Sequence, residues 1–199
     1  MKVLNLIALV FLAITVSNCK GKKRETTDSE IINEEKKAVE FSSEKKEKIK
    51  IIKISLSPKN DSSVSGYVTF TETEGGMVTM IANITGLTEG EHAIHIHEKS
   101  DCSSADGTST GGHWNPTMEP HGKWGAREGY HKGDIGNFNA SSDGKASINF
   151  STNDWCIGCD NDRKNVVGKA IIVHQGVDDY ISQPSGAAGS RISCGGIIQ

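Results

Sequence analysis

From Ile49 onward the chain alternates apolar and polar residues in short runs. Ile49-Lys50-Ile51-Ile52-Lys53-Ile54-Ser55-Leu56 is the first, Val64 to Thr71 the second and Met77 to Thr85 the third. A period of two sends successive side chains to opposite faces of an extended strand, so each run reads as a strand with one buried face. Pro58 with Asn60-Asp61 closes the first run as a turn would, and Gly75-Gly76 separates the second from the third with hairpin chemistry. Further strands are expected at His92 to His97, Asp134 to Asn139, Lys145 to Ser151 behind Ser142-Asp143-Gly144, Gly168 to His174, and Arg191 to Ile197. Eight short strands with Gly-rich turns and two long loops imply an all-β fold, a sandwich or barrel.

The pattern before Ile49 is of another kind. Lys2 leads an apolar run from Val3 to Val16, the length of a signal-peptide core and too short to span a bilayer. The run ends at Val16-Ser17-Asn18-Cys19 and gives way to Lys20-Gly21-Lys22-Lys23-Arg24. This resembles a bacterial lipoprotein signal over residues 1–18, with Cys19 as the lipid-modified first residue of the mature chain, although Asn18 replaces the small residue such signals carry there. The alternative is an ordinary secretory signal with an incidental Cys19. Residues 19–48 are mostly Lys, Glu, Ser and Thr and read as a solvated tether. Ile31, Ile32, Val39 and Phe41 could line a marginal helix there behind Asp28 or Ser29. The expected protein is exported to the bacterial cell envelope and held by lipid at a periplasmic or outer-membrane face, with residues 49–199 as its one domain.

Charge narrows the partners. Residues 19–50 hold ten Lys and Arg against eight Asp and Glu, whereas residues 51–199 hold eleven against seventeen, a net of −6. A nucleic-acid partner is not expected of so acidic a domain.

The histidines change the picture most. Of seven, all but His92 and His174 lie between His95 and Asp134. On a strand, His95 and His97 project to one side while Ile94 and Ile96 enter the core, which places both imidazoles on the outer surface. His174 ends the run Ala170-Ile171-Ile172-Val173 and is placed to join them from a second strand. His113, His121, His131 and Asp134 share a loop of about thirty-five residues, long enough to require something that orders it, and a metal would do so. Six His and one Asp exceed what one tetrahedral ion uses. Two ions sharing one imidazole use them all, four His at one site and three His with Asp134 at the other. An all-nitrogen tetragonal set favours Cu(II), and three imidazoles with a carboxylate make a closed zinc site. The shared ring must lose both protons, which two adjacent cations permit.

Several motifs then resemble those of one family: Gly90-Glu91-His92-Ala93-Ile94-His95-Ile96-His97-Glu98, Gly111-Gly112-His113-Trp114-Asn115-Pro116, His131-Lys132-Gly133-Asp134, Val173-His174, and Gly189-Ser190-Arg191-Ile192-Ser193-Cys194-Gly195-Gly196. Residues 50–199 resemble the copper/zinc superoxide dismutases, especially their bacterial secreted members. The resemblance implies a Greek-key β-barrel, copper on His95, His97, His113 and His174, and zinc on His113, His121, His131 and Asp134, with one of each ion per subunit. His113 would bridge the two. It also implies a carboxylate at Asp178 that links a copper His to a zinc His, an anion-attracting guanidinium at Arg191, and a structural role for the remaining His92. The activity implied is disproportionation of superoxide to dioxygen and hydrogen peroxide through Cu(II)/Cu(I) cycling, in a monomer or a homodimer.

If Cys19 carries lipid, four Cys remain and permit three pairings. The resemblance selects Cys102 with Cys194. Cys156-Ile157-Gly158-Cys159 is then expected as a local loop disulfide, with a redox dithiol or an accessory metal site as alternatives. Two other functions compete: a periplasmic copper or zinc carrier, which needs neither a bridging His nor Arg191, and a catalytically silent member of the fold, which would show missing donors.

Overall fold

The computed structural model describes residues 48–199. The expected signal segment, Cys19 and the tether up to residue 47 lie outside the described residues. Eight strands run in chain order: β1 (Lys50–Pro58), β2 (Ser65–Glu72), β3 (Val78–Thr85), β4 (Gly90–His97), β5 (Gly136–Ala140), β6 (Ala146–Thr152), β7 (Ala170–His174) and β8 (Arg191–Gly196). They form one antiparallel sheet in the order β5-β4-β7-β8-β1-β2-β3-β6. Its two edge strands, β5 and β6, are joined by a short turn and approach each other, so the sheet curls into a nearly closed barrel. The order leaves chain sequence where β3 neighbours β6 and β4 neighbours β7, the over-the-end connections of a Greek key.

Strand ends fall within one or two residues of the alternation. In β1, Ile52, Ile54 and Leu56 point inward while Ile51, Lys53 and Ser55 face solvent, and in β3 Val78, Met80, Ala82 and Ile84 do the same. Three long connections link the strands rather than two: residues 98–135, 153–169 and 175–190.

Alternation fails in β4 and β7, where every residue from His92 to His97 and from Ala170 to His174 is buried. The cause is that both faces of these strands are covered. On the inner face Ile94, Ile96, Ile171 and Val173 join the main apolar core. On the outer face Ala170 and Ile172 pack with Cys194 against Cys102. The imidazoles of His95, His97 and His174 lie on that outer face, yet are only 0%, 1% and 4% exposed. The expectation of a surface position is therefore corrected: the long loops roof the barrel wall at this point.

A disulfide between Cys102 and Cys194, with Cα atoms 5.9 Å apart and 92 residues between them in sequence, ties the 98–135 loop to β8. By loop-closure entropy such a bridge contributes about 4 kcal/mol. Cys156 and Cys159 form the second, local disulfide.

The 98–135 loop is also sewn to β4 through the backbone. Ile96 donates to Gly133 O at 2.9 Å, Trp114 donates to Ile96 O at 2.8 Å, and Gly133 donates to Trp114 O at 3.0 Å. A Cβ at Gly133 would overlap the Ile96 carbonyl oxygen and stand 3.0 Å from the Trp114 nitrogen, so only glycine lets the chain approach so closely. Gly133→Ala is expected to destabilise the domain by about 2–3 kcal/mol, the range of forced overpacking, measured by urea denaturation; an unchanged midpoint would refute this account of the loop.

Candidate metal centre

His95 and His97 stand two apart on β4, so they share its outer face. The neighbouring strand brings His174 to the same face, at the end of β7. An isolated β-bridge holds the backbone of His113 against His97 and carries the ring of His113 into the group, 4.0 Å from the His95 ring and 5.0 Å from that of His97 between centroids. On the other side of His113 lie His121 and His131, at 5.3 and 5.8 Å. Two buried groups result: His95, His97, His113 and His174; and His113, His121, His131 and Asp134, the donor atoms within each lying within 4.8 Å of one another.

The hydrogen bonds show which ring nitrogen is free. His95 Nε2 bonds Asp178 Oδ2 at 2.9 Å, His97 Nδ1 donates to Gly111 O at 3.0 Å, and His174 Nδ1 donates to Gly189 O at 3.3 Å. Their opposite nitrogens, His95 Nδ1, His97 Nε2 and His174 Nε2, are buried without a hydrogen-bond partner, as is His113 Nε2. In the second group His121 Nδ1 and His131 Nδ1 lie 3.0 and 3.2 Å from the Asp134 carboxylate but are not aligned to hydrogen-bond it. A buried nitrogen left unpaired costs about 1–3 kcal/mol, and six in one place exceed what an ordinary core tolerates. Converging lone pairs of this kind fit a cation on each side of His113.

Four-nitrogen and three-nitrogen-plus-carboxylate donor sets are thus both present. Asp134 is fixed for its part by the backbone amides of His131 and Gly122, which donate to Oδ2 at 2.8 and 3.2 Å. Asp178 spans the two groups, its Oδ1 bonding His121 Nε2 at 2.9 Å while Oδ2 holds His95. Gly186, at φ 65°, packs against that carboxylate where a Cβ could not fit.

Arg191 opens β8 and faces His174 across the strand pair. Its guanidinium donates to Gly107 O at 2.8 Å and Thr110 Oγ1 at 2.9 Å, which holds it on the wall closed by the Cys102–Cys194 bridge. Its charge also reaches His97 and His174, disfavouring their protonation. His92 stays apart from both groups, with Nδ1 3.1 Å from His174 O and Nε2 2.9 Å from Thr88 O.

Two amide side chains escaped sequence reasoning. Gln183 accepts from His121 N at 2.8 Å and donates to His121 O at 2.9 Å. Asn137 does the same for Asp178, accepting from its N and donating to its O, both at 2.8 Å. A lone Gln or Asn carries no spacing signal, so nothing in the chain marked either.

A family model described as copper/zinc superoxide dismutase (SODC) matches residues 64–197, a span that contains every donor residue and Arg191. The chain belongs to the copper/zinc superoxide dismutase family. Similar solved structures include a SOD-like protein from Bacillus subtilis, 29% identical over 73% of this chain and 97% of that one, with a TM-score of 0.65. A double variant of that protein, with His introduced at two positions, is 30% identical over 74% and 97% of the two chains, at a TM-score of 0.66. The clock protein EA4 is 32% identical over 73% and 94%, at 0.63. This chain's barrel is similar to those structures, and it carries two adjoining groups of residues that could hold metal ions.

Proton affinities in the metal-free centre differ across it. Burial holds His97 and His174 well below the usual imidazole value, with neighbouring imidazoles adding to the effect. Burial likewise lowers His113 to about 4 against the pull of Asp134. Burial opposes charge on His121 too, but the adjacent Asp134 carboxylate and the hydrogen-bonded Asp178 carboxylate prevail and push it up to about 9. Below about 6.5 the unfolded chain takes up protons on His97, His113 and His174 that the folded chain refuses, so folding weakens as pH falls toward about 4. His121 has the opposite sign, its contribution complete below about 6.5 and fading toward about 9. Urea denaturation of metal-free protein is expected to show stability dropping from pH 6.5 to 4 by at most about 1.4 kcal/mol per unit for each of the three rings. A flat profile in that window would contradict the burial of neutral imidazoles.

Proposed function

We propose that this chain is a superoxide dismutase, with copper held by His95, His97, His113 and His174 and zinc by His113, His121, His131 and Asp134. The observation that carries the reading is His113, which belongs to both groups, its Nε2 buried without a protein partner while its Nδ1 lies 2.8 Å from Asp134. A carrier for one ion has no use for a ring shared in this way. Donor chemistry divides the ions, since four imidazoles favour copper and three with a carboxylate close a zinc site.

Copper, when bound, supplies the one-electron couple that oxidises one superoxide to dioxygen and reduces a second to peroxide. The remaining work belongs to the chain. Arg191 gives an anion a fixed positive partner on a domain whose residues 51–199 sum to −6. The carbonyls of Gly111 and Gly189, together with the Asp178 carboxylate, fix which nitrogen each ring offers. His113 Nε2, which bonds no protein group, would be the atom able to take up and pass on one of the two protons that peroxide needs, while Nδ1 is held beside Asp134 and solvent supplies the other proton. Asp178 couples the two halves, so displacement of His121 is felt at His95.

Purified protein is expected to take up one copper and one zinc and to accelerate superoxide decay in stopped flow. His174→Ala should remove copper uptake and lower the rate at least about a hundredfold, the upper end of losses from disturbed metal sites, with zinc retained. Copper uptake without dismutation would favour a carrier or a catalytically silent family member, and full activity in His174→Ala would overturn the copper assignment.

A further inference from the structure

The Cys156-Ile157-Gly158-Cys159 turn and the residues before it take no part in the function above, yet they reach the metal centre from behind. We propose that Asp154 and Trp155 are positioning residues for His131 and Asp134, braced against the barrel by the disulfide-closed turn that follows them. This rests on the reading of His131 and Asp134 as zinc donors and adds to it a part of the fold outside both metal-site loops.

His131 lies between two residues that this segment grips. Trp155 Nε1 donates to the carbonyl of Lys132 at 2.9 Å, and Lys132 Nζ pairs with Asp154 Oδ2 at 2.8 Å. The Tyr130 hydroxyl donates to the same Asp154 oxygen at 3.4 Å. Both neighbours of His131 are thereby attached to residues 154 and 155, Lys132 through its carbonyl and its ammonium and Tyr130 through its hydroxyl. Asp134 follows because its carboxylate accepts the His131 amide at 2.8 Å.

Trp155 cannot drift, being 1% exposed and set edge-on to Phe70 of β2 at 6.3 Å and tilted against Phe150 of β6 at 5.0 Å. Trp124, from the metal loop itself, meets it at 5.7 Å and also packs on Tyr130 at 4.9 Å. Behind Trp155 the turn is anchored to the opposite wall. Ile157 N donates to Glu72 Oε2 at 2.9 Å, Lys50 Nζ donates to Ile157 O at 2.7 Å, and Lys50 pairs with Glu72 at 3.2 Å. The Cys156–Cys159 disulfide closes the turn whose amides make these contacts. With only two residues enclosed, the bridge removes little entropy from the unfolded chain, so its value lies in fixing this turn rather than in global stability.

The test measures zinc release from the full-length, zinc-loaded protein to a chromogenic chelator, together with the visible spectrum of Co(II) bound in place of zinc, which reports donor geometry. Trp155→Phe keeps a ring and loses the N–H donor; zinc release about tenfold faster and shifted Co(II) bands are expected. Asp154→Asn should accelerate release about threefold, in line with a partly exposed ion pair. Cys156→Ser with Cys159→Ser should act in the same direction. Release within twofold of wild type and an unchanged Co(II) spectrum in Trp155→Phe and Asp154→Asn would overturn the brace. If Trp155→Phe fails to fold, Asp154→Asn decides, its side chain being 37% exposed. A wild-type chain that takes up neither ion overturns the zinc assignment and the brace with it, whereas normal uptake with unaltered release in the variants overturns the brace alone.

Discussion

Six buried imidazole nitrogens without hydrogen-bond partners are the constraint around which this domain is arranged. A folded core rarely leaves such atoms unpaired without a ligand to bind, and here they converge in two sets that meet at His113. The barrel supplies what that arrangement needs most, a wall that does not yield. β4 and β7 place three of the rings at fixed separations, and the apolar core behind them makes any shift of backbone expensive. The remaining donors come from a loop, and loops have to be held.

Much of the rest of the molecule does that holding. Backbone hydrogen bonds sew Gly133 and Trp114 to β4, the Cys102–Cys194 bridge ties the same loop to β8, and Gln183 and Asn137 clasp the backbones of His121 and Asp178. Asp178 then links the two groups through one carboxylate, whose burial is offset by hydrogen bonds that keep it ionised far below the ordinary carboxylate range. Precision in the loop is thus borrowed from the barrel through many individually modest contacts.

Strands were legible in the sequence wherever one face meets solvent, because Ile52-Lys53-Ile54-Ser55-Leu56 can only alternate in an extended chain. Where both faces are covered the signal weakened, as in Ala170-Ile171-Ile172-Val173, and the roof over His95 and His97 was not foreseen for the same reason. The connection 153–169 escaped as a third long loop because its Trp and Cys residues are core-like in composition. Donor residues stand out by chemistry, since His is scarce elsewhere in the chain. Gln183, Asn137 and the carbonyls of Gly111 and Gly189 do not, because amide and backbone groups are everywhere and only the fold selects the few that touch a ligand ring.

The central claim is that one imidazole, His113, serves two ions at once. Loading both groups with Cu(II) and recording the electron paramagnetic resonance spectrum tests it directly. A shared, fully deprotonated ring transmits magnetic exchange, so the account predicts a coupled spectrum with the signal of isolated Cu(II) suppressed. Two independent, uncoupled Cu(II) signals at full intensity would contradict it.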